Sequence, residues 1–169
     1  MSDEQAGAKL ASGILPALCT AFTDDGAEVD ADRQRVLLRA LLDAGSRGFF
    51  VCGGTGEGKA MSVPERMNVA EVVADEVAGE VPIILQVGAC PTPDAVELAQ
   101  HAAHIQGIGA VASVAPIDSP NDLDAAVAHY RAIGAATQLP FYVYWLQGEA
   151  DSTATADRFL DAMCTVPHF

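Results

Sequence analysis

Three features of the sequence predict an α/β fold built on a parallel sheet. Short apolar runs rich in β-branched and aromatic residues alternate with amphipathic helical patterns. The runs recur at a spacing of roughly 30 residues, the length of one βαβ unit. They also show little polar alternation, as expected of strands buried on both faces. The five runs are residues 14–22, 49–52, 82–87, 110–114 and 141–145.

The segments between them carry helix punctuation. Asp30 or Asp32 can cap the first helix, whose expected apolar face is Val36, Leu37, Ala40, Leu41 and Ala44, with Gly45 as the stop. Ser62 and Glu65 spell a capping box around Pro64, and Gly79 ends that helix. Thr92 followed by Pro93 opens a third helix, which stops near Gly107. Asn121 is placed to cap a fourth, with Leu123, Val127 and Tyr130 on one stripe. Ser152 or Thr153 opens a fifth, with Phe159, Leu160 and Met163 apolar.

Residues 1–12 read as an N-terminal tail and residues 13–169 as one repeating unit without linker or low-complexity tract. Two architectures suit such a repeat: an open doubly wound sheet, or a (β/α)₈ barrel stopped after about five β/α units. A complete barrel takes about 250 residues and eight strands. The dinucleotide fingerprint G-x-G-x-x-G is missing, and Gly58-Lys59 is followed by Ala60, so no P-loop is present.

A net charge of −14, with Lys9 and Lys59 the only lysines, argues against a nucleic-acid partner. No apolar run is long enough to cross a bilayer, and the polar, acidic first residues do not resemble a signal peptide, so a cytoplasmic location is expected. Cys19, Cys52, Cys90 and Cys164 form no C-x-x-C pair and read as reduced thiols. His101 and His104 stand one turn apart without an obvious carboxylate partner, and no metal site or cofactor is expected.

In a parallel barrel the chemistry lies at the C-terminal ends of the strands. That selects Thr20, residues 53–57, 88–90 and 116–118, and Tyr144. In Cys52-Gly53-Gly54-Thr55-Gly56-Glu57-Gly58, glycines let backbone N–H groups approach a carboxylate or phosphate, and Thr55 adds a hydroxyl. The same glycines would equally serve a tight strand-to-loop turn. Tyr142 and Tyr144 are two apart and face the same side. Either they present a hydroxyl able to relay a proton, with Tyr144 nearer the strand end, or they are large core side chains.

Taken together, these residues resemble the dihydrodipicolinate synthase and N-acetylneuraminate lyase family. Gly53-Gly54-Thr55-Gly56-Glu57 is similar to its G-x-x-G-E loop, and residues 13–17 with Thr20 to its first strand. Ser62-Val63-Pro64-Glu65-Arg66 resembles the opening of its second helix, and Val87-Gly88-Ala89 the end of its third strand. Residues 97–103, then Ala115-Pro116, and Pro140-Phe141-Tyr142-Val143-Tyr144 are most like the lyase branch.

The resemblance implies a (β/α)₈ TIM barrel and a class I aldolase that holds pyruvate or another 2-keto acid as a Schiff base on a sixth-strand lysine. It assigns Gly54 and Thr55 to substrate carboxylate binding and Tyr144 to proton transfer, with no cofactor. It implies cleavage of sialic acid to pyruvate and N-acetylmannosamine, and a dimeric or tetrameric assembly. The alternatives are a dihydrodipicolinate synthase or another pyruvate-dependent aldolase, and an inactive truncated member. Three departures stand out. Gly54 occupies a position where the family usually has Thr or Ser. Ile117-Asp118 follows Pro116 in place of an aromatic pair. No proline follows Tyr144 closely. By the same matching, 166–169 leads into the sixth strand and the lysine falls past Phe169, so the 169-residue chain is expected to be inactive alone. Lys59, next to the glycine loop, is expected to be solvent-exposed rather than a substitute nucleophile.

Overall fold

A computed structural model describes residues 13–116, 122–144 and 153–169, with the backbone alone for 153–155. The first helix, α1 (Ala31–Asp43), leads to strand β1 (Phe49–Val51), and the alternation continues through α2 (Val63–Val77), β2 (Ile83–Gln86), α3 (Thr92–His104), β3 (Ile108–Val114), α4 (Leu123–Ala135), β4 (Phe141–Tyr144) and α5 (Thr153–Met163). The strands form one parallel sheet in the order β1-β2-β3-β4. Chain order and spatial order coincide, as expected when each helix returns the chain beside the strand just left.

Helices α1, α2 and α4 start where a side chain supplies the acceptor their first N–H groups lack. Asp30 caps α1 by accepting from Arg33 N at 3.0 Å. Ser62 and Glu65 form the expected capping box on α2. Asp122 caps α4, accepting from Ala125 N at 3.0 Å, while Asn121 lies outside the described residues, as do Ser152 and Trp145. Thr92 opens α3 as expected, without a side-chain cap before it, and its hydroxyl meets His129 Nδ1 at 2.9 Å.

Residues 14–22 do not form the single strand expected. Only the first part pairs with β1: Phe50 N donates to Pro16 O at 3.0 Å and Leu18 N to Phe50 O at 2.9 Å. Past Leu18, Gln34 takes over the backbone, accepting from Ala21 N at 2.8 Å and donating to Cys19 O at 3.3 Å. The chain then turns so that Phe22 bridges Val29 in antiparallel fashion. Gln34 therefore belongs to the buried face of α1 together with Leu38, and the expected face is displaced, with Val36, Ala40 and Ala44 exposed. Leu160 of α5 is likewise half-exposed, while Phe159 and Met163 are buried.

The core lies between the sheet and its helices. Phe49, Val51, Ile83, Leu85, Val111 and Phe141 meet Val69, Val73, Leu98, Tyr130 and Ile133, all at most 3% exposed. Pairing is in register along the row Val51, Leu85, Val111 and Phe141. A bond that reaches the residue just before the next strand recurs between β1 and β2 and between β3 and β4, and a similar one leaves β4. Phe49 N donates to Pro82 O, Val111 N to Pro140 O, and Phe141 N to His168 O at 2.8 Å. The segment after α5 is thus set beside β4 as β4 is set beside β3. It also packs closely on α4, where a Cβ on Gly134 would collide with Pro167 O.

Candidate functional site

The C-terminal ends of the strands gather the sequence-selected residues. At the end of β1, Cys52 adopts a positive φ of 58° and the chain enters the glycine loop. Thr20 holds this loop from the preceding segment, its Oγ1 donating to Gly56 O at 2.6 Å. Gly58 N closes it by donating to Gly53 O at 3.0 Å, and Glu57 N donates to Gly54 O at 3.1 Å. Two glycines are required by close approach. A Cβ on Gly56 would lie 2.6 Å from Leu18 O, and one on Gly58 would overlap the Cys52 carbonyl. Gly54 is different, with open space around it and no positive φ.

Thr55 and Gly54 are exposed at the tip. Among the described residues, the Thr55 hydroxyl and the N–H groups of Gly54 and Thr55 have no intramolecular hydrogen-bond partner. Such a cluster of free donors on a braced loop suits a carboxylate. Lys59 is exposed, as expected.

Tyr142 and Tyr144 stand at the far edge of the sheet, 41% and 57% exposed. They alternate with Phe141 and Val143, which pack into the helix-side core, so both hydroxyl-bearing rings point to the opposite face of the sheet. Thr55 and Tyr144 are not in contact. Two strands separate β1 from β4, about 14 Å along the sheet at ordinary strand spacing. The structure therefore presents a carboxylate-type donor loop and an exposed tyrosine at one end of the strands, at opposite edges of the sheet. Residues 117 and 118 lie outside the described residues.

Behind the loop, a cavity of about 180 Å³ is lined by Lys59, Arg66, Cys90, Asp94 and His129 among others. Thr55 and Tyr144 do not line it. Arg66 is the residue that sequence reasoning passed over. In the sequence it belongs to a helix opening, yet it is 4% exposed. It donates to Gly88 O at 3.1 Å, Gln86 O at 2.6 Å and Gln86 Oε1 at 2.7 Å. Burial pushes the Cys52 thiol up to about 11, with the adjacent Arg66 guanidinium pulling the other way. Cys52 is therefore a buried, protonated thiol at neutral pH, not a nucleophile.

His129, 2% exposed, lies 2.9 Å from Thr92 Oγ1 through Nδ1 and 3.2 Å from Ser113 Oγ through Nε2. It ties α4 to β3 and to the start of α3. His101 has the carboxylate neighbour its sequence spacing did not reveal: Nε2 is 3.1 Å from Glu71 Oε1. Among the described residues no three His, Cys, Asp or Glu side chains group as a metal site would, and no helix is long and apolar enough to cross a membrane.

A family profile described as the dihydrodipicolinate synthetase family matches residues 10–158. The chain belongs to this family. It is 43% identical over 132 residues to an uncharacterized DapA-like lyase of Halobacterium salinarum, covering 78% of the chain and 43% of that protein. It is 37% identical to the N-acetylneuraminate lyase of Citrobacter koseri over 95% of the chain and 53% of the enzyme. Among solved structures, the N-acetylneuraminate lyase of Mycoplasma synoviae superposes with a TM-score of 0.82 at 25% identity, over 91% of the chain and 51% of that structure. The chain spans about half the length of the relatives it matches. Its parallel α/β sheet corresponds to that half of the TIM barrel seen in this family.

Proposed function

We propose that the chain forms the keto-acid-binding and proton-transfer part of a Schiff-base aldolase, with N-acetylneuraminate lyase-like cleavage to pyruvate and N-acetylmannosamine as the reaction of the whole protein. The observation that carries this reading is the braced loop at Thr55, whose free hydroxyl and N–H groups sit at the C-terminal end of β1 in a chain of this family. The exposed Tyr144 at the end of β4 supplies a phenol on the face opposite the helices.

In this reading the loop donors bind the substrate carboxylate, placing the adjacent keto carbon toward the middle of the strand ends. Tyr144 gives and takes the proton as the carbinolamine loses water and as the carbon–carbon bond breaks. A lysine amine is the nucleophile, and the iminium it forms accepts the electron pair of the broken bond. Neither Lys9 nor Lys59 is assigned that role, and the bond from Phe141 N to His168 O, which sets the segment after α5 beside β4, favours a lysine further along the chain. The site is expected to act within a cytoplasmic homo-oligomer.

The test is borohydride trapping. A protein carrying this chain and the remaining β/α units is incubated with pyruvate and reductant, then mapped by mass spectrometry. One lysine adduct is expected outside residues 1–169, and it should be lost with Thr55→Val at low pyruvate. No lysine adduct at saturating pyruvate removes the aldolase reading.

A further inference from the structure

The glycine loop has two anchors, and their separation sets its shape. One is Cys52 at the end of β1; the other is the first turn of α2, fixed internally by the Ser62–Glu65 capping box. Arg66 stands in that turn and reaches back to the sheet. Its guanidinium spends one nitrogen on Gly88 O and another on both Gln86 O and Gln86 Oε1, so it grips the end of β2 where the next loop departs. It lies against the Cys52 side chain at the end of β1. Among the described residues its buried Nε has no hydrogen-bond partner.

This is an expensive placement for a cation. Among the described residues no carboxylate is bonded to Arg66, and the charge of Asp94 acts on it only weakly, behind the effects of burial and of Cys52. An apolar side chain of similar volume would avoid the burial penalty but leave three acceptors at the end of β2 unfilled. A planar fork satisfies several acceptors in one fixed orientation, which a lysine ammonium does not. Gly88 leaves little slack, since a Cβ there would lie 2.5 Å from Ser113 Oγ. The end of β2 is therefore held on one side by β3 and on the other by Arg66.

We propose that Arg66 is a positioning residue: without touching substrate, it locks the start of α2 to the ends of β1 and β2 and thereby holds the Gly53–Gly58 loop in its ligand-binding shape. The binding part of this inference rests on the keto-acid reading above; the loop-holding part does not.

Two measurements separate them. In a protein carrying this chain and the remaining β/α units, with Cys19→Ser, Cys90→Ser, Cys164→Ser and any cysteine of those units replaced likewise, Cys52 is the single thiol, and its labelling by a thiol reagent reports opening at the loop's first anchor. Pyruvate binding is followed by calorimetry on the same proteins. Arg66→Met is expected to speed Cys52 labelling at least tenfold, with a rate insensitive to low urea as local opening requires, and to weaken pyruvate at least tenfold. Arg66→Lys should recover part of both. Arg35→Met, which removes a surface cation between α1 and α2, should change neither. Wild-type labelling rates in Arg66→Met overturn the proposal, and so does unchanged pyruvate affinity in that variant. If Arg66→Met does not fold, Arg66→Lys is held to the same two outcomes at threefold rather than tenfold. If the unsubstituted protein binds no pyruvate, the keto-acid reading fails and Cys52 labelling alone decides the role of Arg66.

Discussion

Replacing Gly58 by Ala tests whether the loop is held as described. The added Cβ would overlap the Cys52 carbonyl oxygen and lie 2.7 Å from its carbon and 3.3 Å from Cys52 Cα. All three atoms are backbone, so no rotamer change relieves the clash. The Gly58 N–H bond to Gly53 O must lengthen for the chain to move apart. Overpacking in a filled region costs about 1–3 kcal/mol, and a backbone-on-backbone collision belongs at the upper end, about 3 kcal/mol. For a chain of this size that corresponds to a drop of roughly 6–12 °C in Tm. Gly54→Ala is the internal control, because its Cβ meets nothing within 4 Å. That substitution should stay within about 0.5 kcal/mol of the parent. Urea and thermal unfolding of the two variants side by side give the comparison. Equal stability of Gly58→Ala and Gly54→Ala would refute the packing of the loop onto Cys52, and with it the braced donors at Thr55.

Leu98, 2% exposed between α3 and the sheet, should cost about 2–5 kcal/mol when replaced by Ala, read as a lower urea midpoint with unchanged slope. Ser62→Ala removes the α2 cap and half of its capping box, and about 1 kcal/mol is expected from the same measurement. Glu76 accepts from Arg39 and, at 3.1 Å, from Arg35, which together hold its carboxyl below the ordinary 4.5. A carboxyl lowered on folding stabilises the fold above its unfolded pKa and loses that contribution as pH falls toward the folded value. Glu76→Gln should therefore lower stability at pH 7 and flatten the loss below about pH 4.5, measured by urea unfolding across pH. An acid limb as steep as the parent's would count against the Arg39–Glu76–Arg35 cluster.

Strand positions and helix starts were legible in the sequence because they rest on local signals. The β-branched runs at 49–51, 83–86 and 141–144 and the Ser62–Glu65 box need no tertiary context. What was hidden depends on partners distant in sequence. Gln34 is polar by type and absent from the expected apolar face, and the backbone groups at Cys19 and Ala21 that it bonds explain its burial. The expected face of α1 includes Val36, which is 71% exposed, in place of Gln34, which is buried. The strand at 14–22 was overextended for the same reason, since its apolar composition continues past the point where a side chain replaces the neighbouring strand. Of the candidate site, the loop could be located from its glycines and Tyr144 from its strand. Which glycines are required by close contact, and that Arg66 is buried, follow only from the packing of β1 and β2 ends against α2.

The register row through Val51, Leu85, Val111 and Phe141 has a further consequence. Measured from that row, β1 ends on it, β2 ends one residue beyond, and β3 and β4 end three residues beyond. The strand ends climb like a staircase, at close to the one residue per strand that a shear of eight spread over eight strands requires. At a tilt of about 36°, crossing three strands of about 4.8 Å spacing loses the height that about 10 Å along a strand regains, which is three residues of rise. The climb thus cancels the tilt. In a barrel of that tilt the ends of β1 and β4, far apart on a flat drawing of the sheet, come to one level along the barrel axis.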